Sequence, residues 1–158
     1  MARARDVSGL DCEESFSRTA KRVVKVRSEE VFEHADGVLD VEDIERVHDM
    51  RVATRRLRAA LEVFESCFPG KRHRKVLKRV KALADALGER RDRDVAIEFL
   101  EGFAAEAPER DRPAIAALVG RLREEQRQAN EELAPCVEAR RLRKLRRRLR
   151  GLEKAARR

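Results

Sequence analysis

Between Val47 and Phe68 the chain reads VHDMRVATRRLRAALEVFESCF, and this run constrains the fold more than any other. Wound as a helix at about 100° per residue, it places Met50, Ala53, Leu57, Ala60, Leu61 and Phe64 on one face. His48, Arg51, Arg55 and Arg58 fall within roughly 80° of one another on the opposite side. One face can bury. The other presents a cationic or ionisable group on successive turns.

The rest of the chain extends that design. There is no Trp and no Tyr, only 7 Gly and 4 Pro, and 43 % of the residues are charged. Such a composition suits long helices. No strand pattern or low-complexity tract interrupts it, so the fold class is all-α, an antiparallel bundle of about six helices. At 158 residues the chain predicts one domain. Residues 1–14 read as a flexible arm, 15–135 as the bundle and 136–158 as an Arg-rich last helix. The first helix, from Ser15 to about Ala35, offers Phe16, Ala20, Val23, Val24, Val31 and Phe32 to the core. Asp36-Gly37 ends it, and Asp40 or Asp43 can cap the central helix. Pro69-Gly70 breaks the chain before a third helix with Val76, Val80, Leu83 and Leu87 on its buried side. Gly88 interrupts that pattern, and Asp92 or Asp94 can cap a fourth helix from Val95 to Ala107. Asp111 and Pro113 open a fifth, running to about Leu133. Pro135 separates a sixth, whose leucines 142, 145, 149 and 152 form a stripe that packs on the bundle or on another copy of itself.

Charge is unevenly distributed. Residues 1–45 carry net −5, residues 46–94 net +8, residues 95–135 net −4 and residues 136–158 net +9. Two basic blocks in an otherwise acidic chain favour a polyanion: nucleic acid, an acidic lipid surface or a phosphate polymer. Cys12, Cys67 and Cys136 are far apart and lack CxxC spacing, which argues against a disulfide framework or a zinc site and for a reducing cytoplasm. No apolar run approaches the length of a membrane span, and no apolar leader opens the chain.

The third helix repeats the plan of the central one. Lys71, Arg74, Lys75 and Lys78 lie together across from its apolar side, with Arg79 beside them. Arg56 adds to the central row. If the two basic stripes lean to the same side of a helical hairpin, they form a cationic trough. A helix offers such a residue every three or four positions, a step that suits a linear anion. Arg binds phosphate oxygens bidentately and Lys as a point charge. Asp49 is the only carboxylate between Val47 and Ala60, so the stripe is nearly acid-free. Arg91, Asp92 and Asp94 read as a local capping and ion-pairing group, with Arg91 also available to the binding surface. His34 and His73 read as structural.

The pieces H-x-M-R-V-A-T-R-R-L-R, from His48, and Leu87-Gly88-Glu89-Arg90-Arg91-Asp92-Arg93-Asp94-Val95 together resemble the two motifs of CHAD domains. These are helical modules that bind inorganic polyphosphate. The resemblance covers roughly residues 44 to 100. It implies polyphosphate as the partner, His48 and the arginines as part of an anion-binding surface, and an association with polyphosphate granules. CHAD modules carry the signature in each of two helical halves facing a shared groove. This chain has it once, which implies a single half or a homodimer that rebuilds the pair.

Two rival functions follow from the same residues. An enzyme needs a nucleophile with an adjacent base, a P-loop or a metal-binding pair, and none is evident, so neither a cofactor nor a metal is expected. A nucleic-acid binder fits the pI near 10.0. It lacks base-stacking aromatics, because the six Phe mostly fall at core positions.

Overall fold

The computed structural model describes residues 3–156, and among these it contains five α-helices and no strand. They are α1 (Phe16–Glu33), α2 (Ile44–Val63), α3 (Gly70–Glu106), α4 (Arg112–Val137) and α5 (Ala139–Lys154), with one 3₁₀ turn at Glu65–Cys67. α3 packs against both α2 and α4, α1 against α2 and α5, and α5 also touches α3 and α4. Residues 1–2 and 157–158, at the ends of the expected arm and last helix, lie outside the described residues.

The core follows the apolar faces read from the sequence. Met50, Ala53, Leu57 and Leu61 of α2 are fully buried and meet Val80, Leu83 and Leu87 of α3. Ala20, Val24 and Val31 complete it from α1, and Leu145, Leu149 and Leu152 from α5. The leucine stripe of α5 is therefore spent on its own bundle. Phe16 is an exception. It is 55 % exposed and rests on Phe64 at a ring-centroid distance of 5.0 Å.

The expected third and fourth helices are one helix of 37 residues. Gly88 weakens a helix without breaking it, and tertiary packing overrides that preference. Leu83, Leu87, Arg90, Asp94 and Ile97 continue one buried face past the glycine. A Cβ at Gly88 would lie 3.8 Å from Arg51 Nε, an ordinary contact. Gly88→Ala is therefore expected to fold normally and to gain about 0.5–1 kcal/mol, read from a urea melt.

Asp92 and Asp94 consequently cap nothing. Asp94 is 2 % exposed in mid-helix, where its Oδ1 lies 3.1 Å from Arg90 Nη2 and accepts a 2.6 Å hydrogen bond from Gln126 of α4. Arg90 is fully buried and also donates to Asn130 Oδ1 at 3.4 Å. Asn130 in turn donates to the Leu39 carbonyl. This polar seam locks α3, α4 and the α1–α2 loop in register. Burial pushes the Asp94 carboxyl up, with Gln126 and Arg90 opposing, and burial lowers the Arg90 pKa against the pull of Asp94.

Other turns form much as their residues dictate. Gly37 takes φ +66, and Asp111 with Pro113 opens α4. Asp43 stands at the start of α2 but pairs with Arg46 at 2.8 Å and caps no backbone N–H. α4 runs through Pro135 to Val137, so the break expected at Pro135 falls three residues later, at extended Glu138. A proline in the last turn removes one backbone bond where carbonyls are already losing partners. Before α1, Arg5 and Glu14 tie the leading segment down. The Arg5 N–H donates to Glu30 at 2.6 Å, and Glu14 pairs with Arg18 and Arg22 at 3.1 and 3.0 Å. His73 is buried, its Nε2 2.7 Å from the Leu61 carbonyl, and His34 ends α1.

Candidate functional site

α2 and α3 run antiparallel, and their cations meet along the seam between them. At one end Arg91 Nη2 lies 3.8 Å from Glu45. In the middle the Arg51 side chain reaches α3 at Gly88, its Nε 3.8 Å from where a Cβ of that residue would stand. At the other end Arg58 and Lys81 converge on one acceptor, Glu62 Oε1, each at 3.1 Å. Lys81 and then Arg58 hold the Glu62 carboxyl below its usual range. Arg74, Lys78 and Lys81 continue the row along a groove that Asp85 also lines.

The structure thus brings Arg51, Arg58, Arg74, Lys78 and Arg91 to one two-helix surface, with exposed Arg55 on the crest of α2. It sets others apart. Arg56 shares a shallow hollow with Arg55, Val52 and Ala59. Its position, roughly 100° further round the helix than Arg55, turns it to the α1 side. Lys75 lines a separate cleft with Arg72 of α3 and Arg148 of α5. Lys71 and Arg79 are exposed. Lys81 was legible as the next step in the row Arg74, Lys78, because residues three or four apart share a helix face. Arg148 comes from a distant helix and left no local signal.

His48 stands half-buried beside two carboxylates. Glu45, His48 and Asp49 each place one ligand atom within 4.8 Å of the others, close enough to hold a metal ion. The spacing i, i+3, i+4 on one helix is the signal that sequence reading missed. These carboxylates offset the cationic character of the stripe at its His48 end.

The aromatic side chains differ from expectation. Phe16, Phe99 and Phe103 are 55, 69 and 53 % exposed, so half of the six Phe lie outside the core. Phe99 and Phe103 stack with centroids 6.5 Å apart, in the part of α3 that carries Glu98, Glu101 and Glu106. α4 and, at Ile44, the start of α2 lie beside this part of the helix around Ile97, Glu98 and Glu101, while the side that carries Phe99 and Phe103 stays bare.

These features define a class: an all-α bundle in which cations of two neighbouring helices meet along one seam. The chain belongs to the CHAD domain family, whose model matches residues 22–158. Comparison with curated proteins and with solved structures gave no match. Among the described residues, no helix is long and apolar enough to cross a membrane.

Proposed function

We propose that the chain binds inorganic polyphosphate through the α2/α3 surface and does so without catalysis. The carrying observation is the meeting of Arg58 and Lys81 on Glu62, with Arg51 laid across α3 at Gly88: the two basic rows share one seam. Membership of the CHAD family, which is associated with polyphosphate binding, supports the same ligand. Arg51, Arg55, Arg58, Arg74, Lys78, Lys81 and Arg91 carry the binding, and His48 stands at the edge of the site. The repulsion within such rows is relieved when a polyanion replaces loosely held counterions.

Backbone binding of nucleic acid is the competing use of the same cations. The exposed Phe99 and Phe103 do not favour it, since their surroundings are acidic and would repel the phosphates that bases bring with them. Competition separates the two ligands. Long-chain polyphosphate is expected to displace DNA at a far lower phosphate concentration than DNA displaces polyphosphate. The opposite order makes the chain a nucleic-acid binder.

Two chains pair through the bare side of α3. Val95, Phe99 and Phe103 recur at every fourth residue and are 47, 69 and 53 % exposed. A second copy of the same stripe would cover them with twofold symmetry. A strict monomer by light scattering at tens of micromolar removes this pairing and leaves the ligand assignment standing. Retention in the cytoplasm, at polyphosphate granules, is the location that fits such a ligand.

A further inference from the structure

The cations of α3 do not form one row. At about 100° per residue, Arg74 and Lys81 fall on the flank toward α2, Arg72, Lys75 and Arg79 on the flank toward α5, and Lys78 between the two. Lys71 sits on the ridge between, roughly 60° from Arg74 and roughly 40° from Lys75. The second flank closes into a cleft of about 300 Å³, in which Arg72 and Lys75 face Arg148 of α5 over a floor of Val76, Gly151 and Leu152.

Three observations single out this cleft. No carboxylate lines it, whereas Asp85 lines the groove on the other flank and Glu62 ties Lys81 there. Among the described residues, no ion pair engages Arg72, Lys75 or Arg148. Finally, a Cβ at Gly151 would meet nothing within 4 Å, so packing does not require a glycine in that helix interior. A glycine there weakens the helix and leaves the cleft floor open between the cations, as Gly102 and Gly120 leave open space at their own positions. Exposed Arg72 and Lys75 and half-buried Arg148 thus stand over floor residues that are 3 % (Val76) and 1 % (Leu152) exposed.

We infer that the α3/α5 cleft is a second phosphate site, and that one polyphosphate chain occupies the α2/α3 surface, crosses the ridge at Lys71 and seats further phosphates between Arg72, Lys75 and Arg148. This inference rests on the polyphosphate reading above and adds chain-length selectivity to it. A triphosphate fills one flank or the other. A chain long enough to round a helix about 10–12 Å across fills both, and the second contact is made at high effective concentration.

The test is calorimetric titration with tripolyphosphate and with long-chain polyphosphate. It compares the unaltered protein, Arg72→Ala/Lys75→Ala/Arg148→Ala, and Gly151→Leu, which fills the cleft and leaves every charge in place. Thermal melts confirm that each variant folds. The expected result is two tripolyphosphate ions per chain for the unaltered protein and one for either variant. Long-chain affinity is expected to fall tenfold or more in both. Variants that keep the original stoichiometry and long-chain affinity overturn the cleft site and leave the α2/α3 reading intact. A loss in the triple variant without one in Gly151→Leu also overturns it, because general surface charge then accounts for the effect. An unaltered protein that binds neither ion overturns both readings.

Discussion

Asp94→Ala is expected to destabilise the fold by about 3–5 kcal/mol, although the residue is buried and takes no part in the basic surface. The change leaves Arg90 fully buried without its ion-pair partner, with only the more weakly acting Asp40 as a negative charge and Asn130 at 3.4 Å as a hydrogen-bond acceptor. An unpaired charge in that position costs far more than the pair itself contributes, because the desolvation of Arg90 is no longer offset. Arg90→Met/Asp94→Leu removes both charges and keeps similar volume. It is expected to restore or exceed the original stability, as buried pairs replaced by apolar residues often do. Urea denaturation of the single and double variants measures both effects.

Arg51→Ala/Arg55→Ala/Arg58→Ala is expected to weaken binding of long-chain polyphosphate by at least about a hundredfold while helicity is retained. Hydrogen bonds to charged groups contribute about 1.5–3 kcal/mol each, so even partial loss of three such contacts reaches that size. The cost to folding is small. Arg55 is exposed and Arg51 and Arg58 are half-buried, and the Arg58–Glu62 pair lies at the surface with side chains about 40 % exposed, where ion pairs contribute little. Circular dichroism checks the helicity and calorimetry the affinity. Wild-type affinity in a folded triple variant would move the binding surface off α2.

The apolar periodicity carried most of the fold. Met50, Leu57, Val80, Leu87 and Leu149 are buried because a 3.6-residue repeat leaves them no other face on which to lie. Gly88 misled for a physical reason. Local propensity argues for a break there, but Arg90 and Asp94 continue the buried face and find Gln126 and Asn130 on α4, partners over thirty residues away. A buried Arg–Asp pair reads in sequence as surface charge. The exposed Phe99 and Phe103 misled in the opposite direction, since an aromatic at helical spacing suggests core until the neighbouring helix proves to lie elsewhere. The α2 cations were legible one by one. Their meeting with Lys81, and the division of the α3 row into two flanks, depended on where α2 and α5 dock, which no local pattern encodes.

The central claim is that cations gathered on the α2/α3 seam bind a phosphate polymer electrostatically. Titration of the protein with long-chain polyphosphate at two salt concentrations tests it most directly. The account predicts saturable binding whose affinity falls steeply as salt rises, because each neutralised phosphate releases counterions. Absence of binding at low salt, or an affinity indifferent to salt, would contradict it.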